Sequence, residues 1–282
     1  MSKVLISDAL SSKAAEVFRA RGIDIDVNTN LQKEDLIARI GGYDGLAVRS
    51  STKVTAEVLA AGKRLRVVGR AGIGVDNIDV AAATGYGIVV MNTPFGNSTT
   101  TAEHAIALLM ALSRQIPQAD RSTQMGKWEK SRFMGVEVTG KILGLIGCGN
   151  VGSIVAERAQ GLKMRVLVYD PFMTNEHAAD LGVERVELDI LLARAHFISL
   201  HTPLTEATRG MIDAVALAKT QRGVRIINCA RGGLILEGDL KEAIQSGHVA
   251  GAALDVFAEE PALKNELFGM PEVIATPHLG AA

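Results

Sequence analysis

The sequence has little of several features that would place it in a special class. It holds two cysteines in 282 residues, Cys148 and Cys229, both in apparent core or site segments. A disulfide framework is therefore not expected, and a reducing, cytoplasmic setting is. No apolar run reaches the length of a membrane span, so no membrane partner is expected. Met1-Ser2-Lys3-Val4-Leu5-Ile6 goes straight into a strand, without the layout of a signal peptide. Charge of one sign is also missing. Against 30 Lys+Arg stand 31 Asp+Glu, a formal net charge of −1, so no overall field draws in nucleic acid. Any anion site must be built locally. No Cys/His cluster has metal-ligand spacing, so no metal is expected. There is no 20–50 residue repeat and no low-complexity tract.

The chain is 48% hydrophobic and 22% charged, ample for a globular core, and its length suits one large domain or two ordinary ones. Apolar runs at 4–6, 23–27, 45–48, 65–68 and 88–91 read as strands, and helical spacing fills 11–21, 31–40 and 55–61. Strands alternating with short helices predict an α/β fold of doubly wound parallel sheets. Asn92-Thr93-Pro94 interrupts the pattern and predicts two domains, 1–93 and 94–282. Residues 100–116 form a long helix, apolar on more than one face and so expected to be buried on more than one side. Residues 124–135, with Trp128, Lys130 and Arg132, read as an exposed arm.

The stretch that organises the second half is Leu143-Gly144-Leu145-Ile146-Gly147-Cys148-Gly149-Asn150-Val151-Gly152. A buried strand runs into a G-x-G-x-x-G turn that opens a helix over 151–160. Gly147 allows the tight turn, Gly149 lets backbone N–H groups approach a pyrophosphate, and Gly152 lets the helix pack on the strand. The helix aims its positive end at the same place. A second apolar run, 165–169, ends at Asp170, 18 residues after Gly152, near the spacing of a ribose-binding carboxylate. Further strands at 197–200, 224–228, 251–254 and 273–276 deliver His201, Arg231, Asp255 and His278 just past their C-terminal ends. Ligands of such sheets bind on that edge. In the first half the same edge carries Arg49, Ser50 and the glycine loop with Gly72 and Gly74. That loop reads equally as an anion cradle or as a tight turn.

The motifs Val48-Arg49-Ser50, Gly69-Arg70-Ala71-Gly72-Ile73-Gly74-Val75-Asp76-Asn77, Gly96-Asn97-Ser98, His201-Thr202-Pro203, Asn228-Cys229-Ala230-Arg231-Gly232-Gly233, Glu259-Glu260-Pro261 and Thr276-Pro277-His278-Leu279-Gly280 together resemble the D-isomer-specific 2-hydroxyacid dehydrogenases over essentially the whole chain. The resemblance implies a flavodoxin-like substrate domain and a Rossmann NAD-binding domain with the active site in the cleft between them. It implies NAD-dependent oxidation of a D-2-hydroxy acid carrying a phosphate. The runner-up is reduction of another 2-keto acid such as glyoxylate or hydroxypyruvate. A reading of another class is an NAD-binding corepressor-like scaffold.

By the same resemblance, Arg231 clamps the substrate carboxylate, His278 is the acid/base and Glu260 its carboxylate partner. Asp170 binds the adenosine ribose, Asn150 and Val151 the pyrophosphate, and Asp255 the nicotinamide amide. Thr202, Cys229, Ala230, Gly280 and Ala281 line the nicotinamide side, with Ile73 serving through its backbone. Substrate sits on Arg49, Ser50, Arg70, Gly72 and Gly74, with Arg132 as a further phosphate contact. His104 reads as a packed residue, and His201 as structural or cofactor-adjacent. NAD is expected over NADP, since Asp170 repels a 2′-phosphate and Pro171 offers no cation. A helix beyond Ala282 returning to the substrate domain is expected. So is a homodimer through the 100–116 helix and the arm, with a tetramer for a longer chain.

Overall fold

The computed structural model describes residues 2–281. The chain divides into two compact units, Met1–Asn97 and Ser98–Ala282. The first unit runs β1 (Lys3–Ile6), α1 (Ser12–Ala20), β2 (Asp24–Val27), α2 (Lys33–Ile40), β3 (Gly45–Val48), α3 (Ala56–Ala61), β4 (Val67–Arg70), α4 (Val80–Gly85) and β5 (Val89–Asn92). Its five strands pair in parallel in the order β2-β1-β3-β4-β5. The chain sequence explains which strand sits where. Gly-Leu-Ala-Val of β3 is buried throughout and lies mid-sheet, while β2 alternates acid with aliphatic and takes an edge. On one face Leu5, Leu46, Val48 and Val68 pack with Leu36 and Ile40 of α2 and Val58 and Leu59 of α3. The smaller opposite face joins Val4, Ile6 and Ala47 to Phe18 of α1. The strand order reverses between β1 and β3, which puts Ser7, Asp8 and Arg49 at a topological switch point.

The second unit opens with α5 (Ser98–Arg114) and α6 (Ile116–Gln124). It continues β6 (Ile142–Ile146), α7 (Asn150–Gly161), β7 (Arg165–Tyr169), α8 (Asn175–Asp180), β8 (Glu184–Arg185), α9 (Leu188–Arg194), β9 (Phe197–Leu200), α10 (Ala214–Ala218), β10 (Val224–Asn228), α11 (Glu237–Gln245), β11 (Val249–Leu254) and β12 (Val273–Ala275). Its seven strands are parallel in the order β12-β11-β10-β9-β6-β7-β8, with the switch point between β6 and β9. Alternate residues of each strand serve opposite faces. Leu143, Leu145, Phe197 and Ile227 face α5 and α7, and Ile146, Ile198, Leu200 and Ile226 face α9, α10 and α11. Both sheets are the doubly wound parallel kind that the sequence predicts.

The differences from expectation are local. The helix expected over 100–116 ends at Arg114, because Gln115 is left-handed (φ 51°), and Pro117 then sits in the first turn of α6. That helix buries one face, Thr101, Ala102, Ala105, Leu108, Leu109 and Leu112, and only partly covers its flanks at Ile106 and Met110. Helices α4 and α10, six and five residues long, are too short to show a helical period in sequence. The units separate after Asn97 rather than after residue 93. Among the described residues, no helix is long and apolar enough to cross a membrane.

One glycine outside the dinucleotide motif fixes how closely a helix approaches the second sheet. A Cβ on Gly144 would lie 2.5 Å from Leu191 Cδ2 and 3.0 Å from the Ala195 Cβ of the segment that ends α9, both atoms buried. Gly144→Ala is therefore expected to cost about 1–3 kcal/mol, as other overpacked cores do. Urea unfolding reads this, and an unchanged midpoint would show that α9 yields freely.

Candidate active site

The C-terminal edge of the second sheet gathers the polar residues that the sequence pattern singles out. The turn after β6 closes against the turn after β9. Gly147 has φ 90°, and a Cβ there would stand 2.7 Å from the His201 carbonyl oxygen. A Cβ on Gly152 would stand 2.4 Å from the Gly147 carbonyl oxygen, so α7 can lie this close to its strand only with glycine. Nothing lies within 4 Å of the corresponding position at Gly149. Gly149 is the N-cap of α7 and offers no capping side chain, so no side chain of its own covers the positive end of the helix. Asn150 and Val151 form that first turn. The cradle fits a dinucleotide pyrophosphate.

Asp170 is fixed beside it. Its Oδ2 accepts the Cys148 N–H at 2.8 Å and its Oδ1 accepts the Phe172 N–H at 2.9 Å. One backbone donor per oxygen leaves acceptor capacity on both for ribose hydroxyls. Cys148 is buried, and burial with Asp170 alongside pushes its thiol up to about 11. Thr202 follows His201 on the same edge. His201 itself is held at Nε2 by Ser199 Oγ at 2.8 Å, and burial lowers its pKa to about 4. It is neutral at physiological pH and tied to a serine, which suits a structural role.

Arg231, Glu260 and His278 come from three segments that the sheet brings together. The turn after β10 packs so tightly on the turn after β11 that a Cβ on Gly232 would overlap the Phe257 carbonyl. Asn228 shapes that turn, donating to the Arg231 carbonyl at 2.9 Å and accepting the Ala230 N–H at 3.0 Å. Arg231 Nη1 donates to the Ala230 carbonyl at 2.6 Å. His278 Nδ1 and Glu260 Oε2 are 2.7 Å apart, and Glu260 Oε1 accepts the Phe257 N–H at 3.1 Å. The hydrogen bond to Glu260 raises the His278 pKa above 6.5, against burial, with Arg231 a smaller opposing charge. Burial works to raise Glu260, but the hydrogen bonds from His278 and the Phe257 N–H outweigh it and hold the carboxyl low. Nδ1 is committed to Glu260, so Nε2 is the nitrogen left for chemistry.

The turn that carries His278 is held from beneath by Asp255, which is fully buried. Its Oδ1 accepts from Thr276 Oγ1 at 2.6 Å and the Leu279 N–H at 2.7 Å, and its Oδ2 accepts the Gly280 N–H at 2.7 Å. From α5, Thr101 Oγ1 donates to the Gly280 carbonyl at 2.7 Å, and His104 Nε2 lies 3.3 Å from both Thr276 Oγ1 and Asp255 Oδ1. These bonds sustain His278 at φ 55°, a left-handed conformation that non-glycine residues adopt at a cost. Thr101 gave no signal in the sequence, since 179 residues separate it from Gly280. The ligating atoms of His104, Cys229 and Asp255 lie within 4.8 Å of one another. Both Asp255 oxygens already accept hydrogen bonds, and burial with Asp255 alongside pushes the Cys229 thiol up. The group is a hydrogen-bonded frame, with neither a free ligand set nor a nucleophile.

In the first unit, Arg49 and Ser50 are exposed just past β3, and Arg70 ends β4. Gly72 has φ 156°, and a Cβ there would lie 2.5 Å from Arg70 Nη1. The Ile73 carbonyl accepts from Asn92 Nδ2 at 2.6 Å. Arg132, on the arm of the second unit, is paired with Glu129 at 3.2 Å and lies over the Phe133 ring.

The His278 imidazole is expected to titrate above pH 6.5 by NMR. Glu260→Gln removes the charge that favours the imidazolium, so the titration should move to lower pH. An unmoved or raised midpoint would mean that Glu260 does not tune the ring.

Residues 106–280 match the family model described as D-isomer specific 2-hydroxyacid dehydrogenase, NAD binding domain. A D-3-phosphoglycerate dehydrogenase of Archaeoglobus fulgidus is 48% identical over 281 residues, 99% of this chain and 53% of the relative. The chain thus spans about half the length of the curated relatives it matches. Among solved structures, a glyoxylate reductase from Paecilomyes thermophila superposes with a TM-score of 0.91 at 30% identity, covering 99% of this chain and 88% of that one. A D-lactate dehydrogenase from Aquifex aeolicus, complexed with NAD and lactic acid, gives a TM-score of 0.87 at 26% identity, covering 99% and 89%. With this match lying over the glycine cradle and the histidine–glutamate pair, the chain belongs to the D-isomer specific 2-hydroxyacid dehydrogenases, and its second unit carries their NAD binding domain.

Proposed function

We propose that this chain is the catalytic part of an NAD-dependent D-3-phosphoglycerate dehydrogenase, oxidising D-3-phosphoglycerate to 3-phosphohydroxypyruvate as an early step of serine biosynthesis. The observation that carries the chemistry is the 2.7 Å pair of His278 Nδ1 and Glu260 Oε2 beside Arg231. The substrate comes from the relatives' names, since the 48% identical ones are phosphoglycerate dehydrogenases while the glyoxylate reductase stands at 30%.

NAD supplies a hydride acceptor when bound. The residues of the chain do the rest. Arg231 grips the substrate carboxylate through its planar fork and polarises the oxygen on C2. His278 Nε2 takes the hydroxyl proton as the C2–H bond gives up its hydride, and the C2–O bond becomes a carbonyl. Glu260 stabilises the imidazolium so formed. In the reverse direction the same imidazolium returns the proton. Asp170 takes the ribose hydroxyls, and no cation follows it to meet a 2′-phosphate. Arg49 and Arg70 offer positive charge for the anionic end of the substrate.

Turnover of 3-phospho-D-glycerate with NAD tests the reading, and kcat/KM should be lower both with NADP and with phosphate-free D-glycerate. The profile for oxidation should rise with pH through the raised His278 pKa, because only the neutral ring accepts a proton. His278→Ala should lower kcat by roughly 10²–10⁴-fold, the usual worth of a positioned acid/base. Arg231→Ala should weaken both substrate binding and turnover. Near-normal turnover by His278→Ala would remove His278 from the role.

A homodimer through the arm is part of the proposal. Ile116, Met125, Trp128 and Met134 are all exposed there, Trp128 to 87%. Four large apolar side chains exposed within one short stretch of the sequence suit burial against a second copy. Light scattering should give twice the chain mass, falling to one chain on Trp128→Arg, and a monomeric parent chain would contradict it.

A further inference from the structure

Two segments of the first unit carry the cations that the preceding reading assigns to the substrate's anionic end, Arg49 after β3 and Arg70 at the end of β4. The side chain that joins them is Asn77. Its Nδ2 donates to the carbonyl oxygens of Arg49 and Thr52, both at 2.7 Å, and its Oδ1 accepts from Arg70 Nε at 3.0 Å. Every polar function of the amide is thus engaged. The reversed amide would set donor against donor at Arg70 and acceptor against two acceptors at the carbonyls, so the orientation is fixed by its partners. Asn77 also brings no charge of its own to the Arg70 guanidinium it holds.

Asp8 completes the frame from the switch point. It is buried, 5% exposed. Its Oδ2 accepts the N–H groups of Arg49 at 2.5 Å and Thr52 at 3.2 Å, and its Oδ1 accepts Thr52 Oγ1 at 2.8 Å. The 49–52 turn is therefore held by its N–H groups on Asp8 and by its carbonyls on Asn77. A Cβ at position 72 would lie 2.5 Å from Arg70 Nη1, so any other residue there would make the guanidinium shift.

We infer that Asn77 is a positioning residue for anion recognition, which fixes the Arg49 turn and the Arg70 guanidinium relative to one another as one preformed receptor. The inference rests on the reading that these arginines meet the substrate. The long Arg70 side chain would otherwise sample many rotamers, and ordering its guanidinium against a fixed Arg49 backbone before the ligand arrives removes that cost from binding. Asn77 acts only through its neighbours.

Steady-state kinetics with 3-phospho-D-glycerate and with D-glycerate, supported by calorimetric titration of 3-phospho-D-glycerate, provide the test. Asn77→Ala should raise KM for 3-phospho-D-glycerate about 10-fold, the worth of a lost hydrogen bond to a charged group. The kcat and the KM for NAD should change little, a split that a general loss of structure would not give. Added to Arg70→Ala, the same change should do less than it does alone. Asn77→Asp keeps the shape and the acceptor for Arg70 but turns both donors into acceptors. It should raise KM in the same direction, and it is the variant to read if Asn77→Ala does not fold. A penalty confined to the phosphorylated substrate identifies the phosphate as the anion, and an equal penalty with D-glycerate identifies the carboxylate. If Arg49→Ala and Arg70→Ala leave KM unchanged, the first unit is not the anion site, and this inference falls with that reading. If they raise KM and neither Asn77 variant does, the inference alone is overturned.

Discussion

A carboxylate taken wholly out of water is tolerable only when donors surround it. Asp255 meets that condition with the backbone N–H groups of Leu279 and Gly280, the Thr276 hydroxyl and the adjacent His104. The requirement runs both ways. The carboxylate needs that turn, and the turn, with His278 at φ 55°, needs the carboxylate. His278 is thereby carried on a segment that cannot relax without leaving a buried carboxylate short of donors. Thr101 adds a tie to α5, so the helix that packs the core also steadies the His278 turn.

Close backbone approach is the second constraint. Gly147, Gly152 and Gly232 each sit where a Cβ would collide with a carbonyl. The first two shape the turn that opens α7. The third brings the Arg231 turn onto the segment leading to Glu260. The glycine turn and the Arg231, Glu260 and His278 segments are thus assembled by the same device, turns after parallel strands pressed together at the C-terminal edge of one sheet. The histidine–glutamate pair then sets the ring's basicity, because the hydrogen bond to Glu260 outweighs burial. His201, on the same edge but bonded to Ser199, lacks such a partner, and burial keeps it neutral.

The sequence by itself determined the sheets, because parallel strands buried on both faces must read as short apolar runs and their helices must fill the spaces between. It also marked the glycine cradle, Asp170, and the row of polar residues past strand ends, since topology alone sends ligands to that edge. Residue types could not select Arg231, Glu260 and His278 from so many charged residues. Their motifs did, by resemblance. Helices as short as α4 and α10 left no period to read, and the break at Gln115 depends on a backbone angle that no pattern announces. Only the tertiary structure decided that Asp255 supports the His278 turn, that Thr101 reaches Gly280, and that Asn77 links Arg49, Thr52 and Arg70. Those bonds join positions up to 179 residues apart, and hydrogen-bond geometry between distant segments exists only once the sheets have placed them.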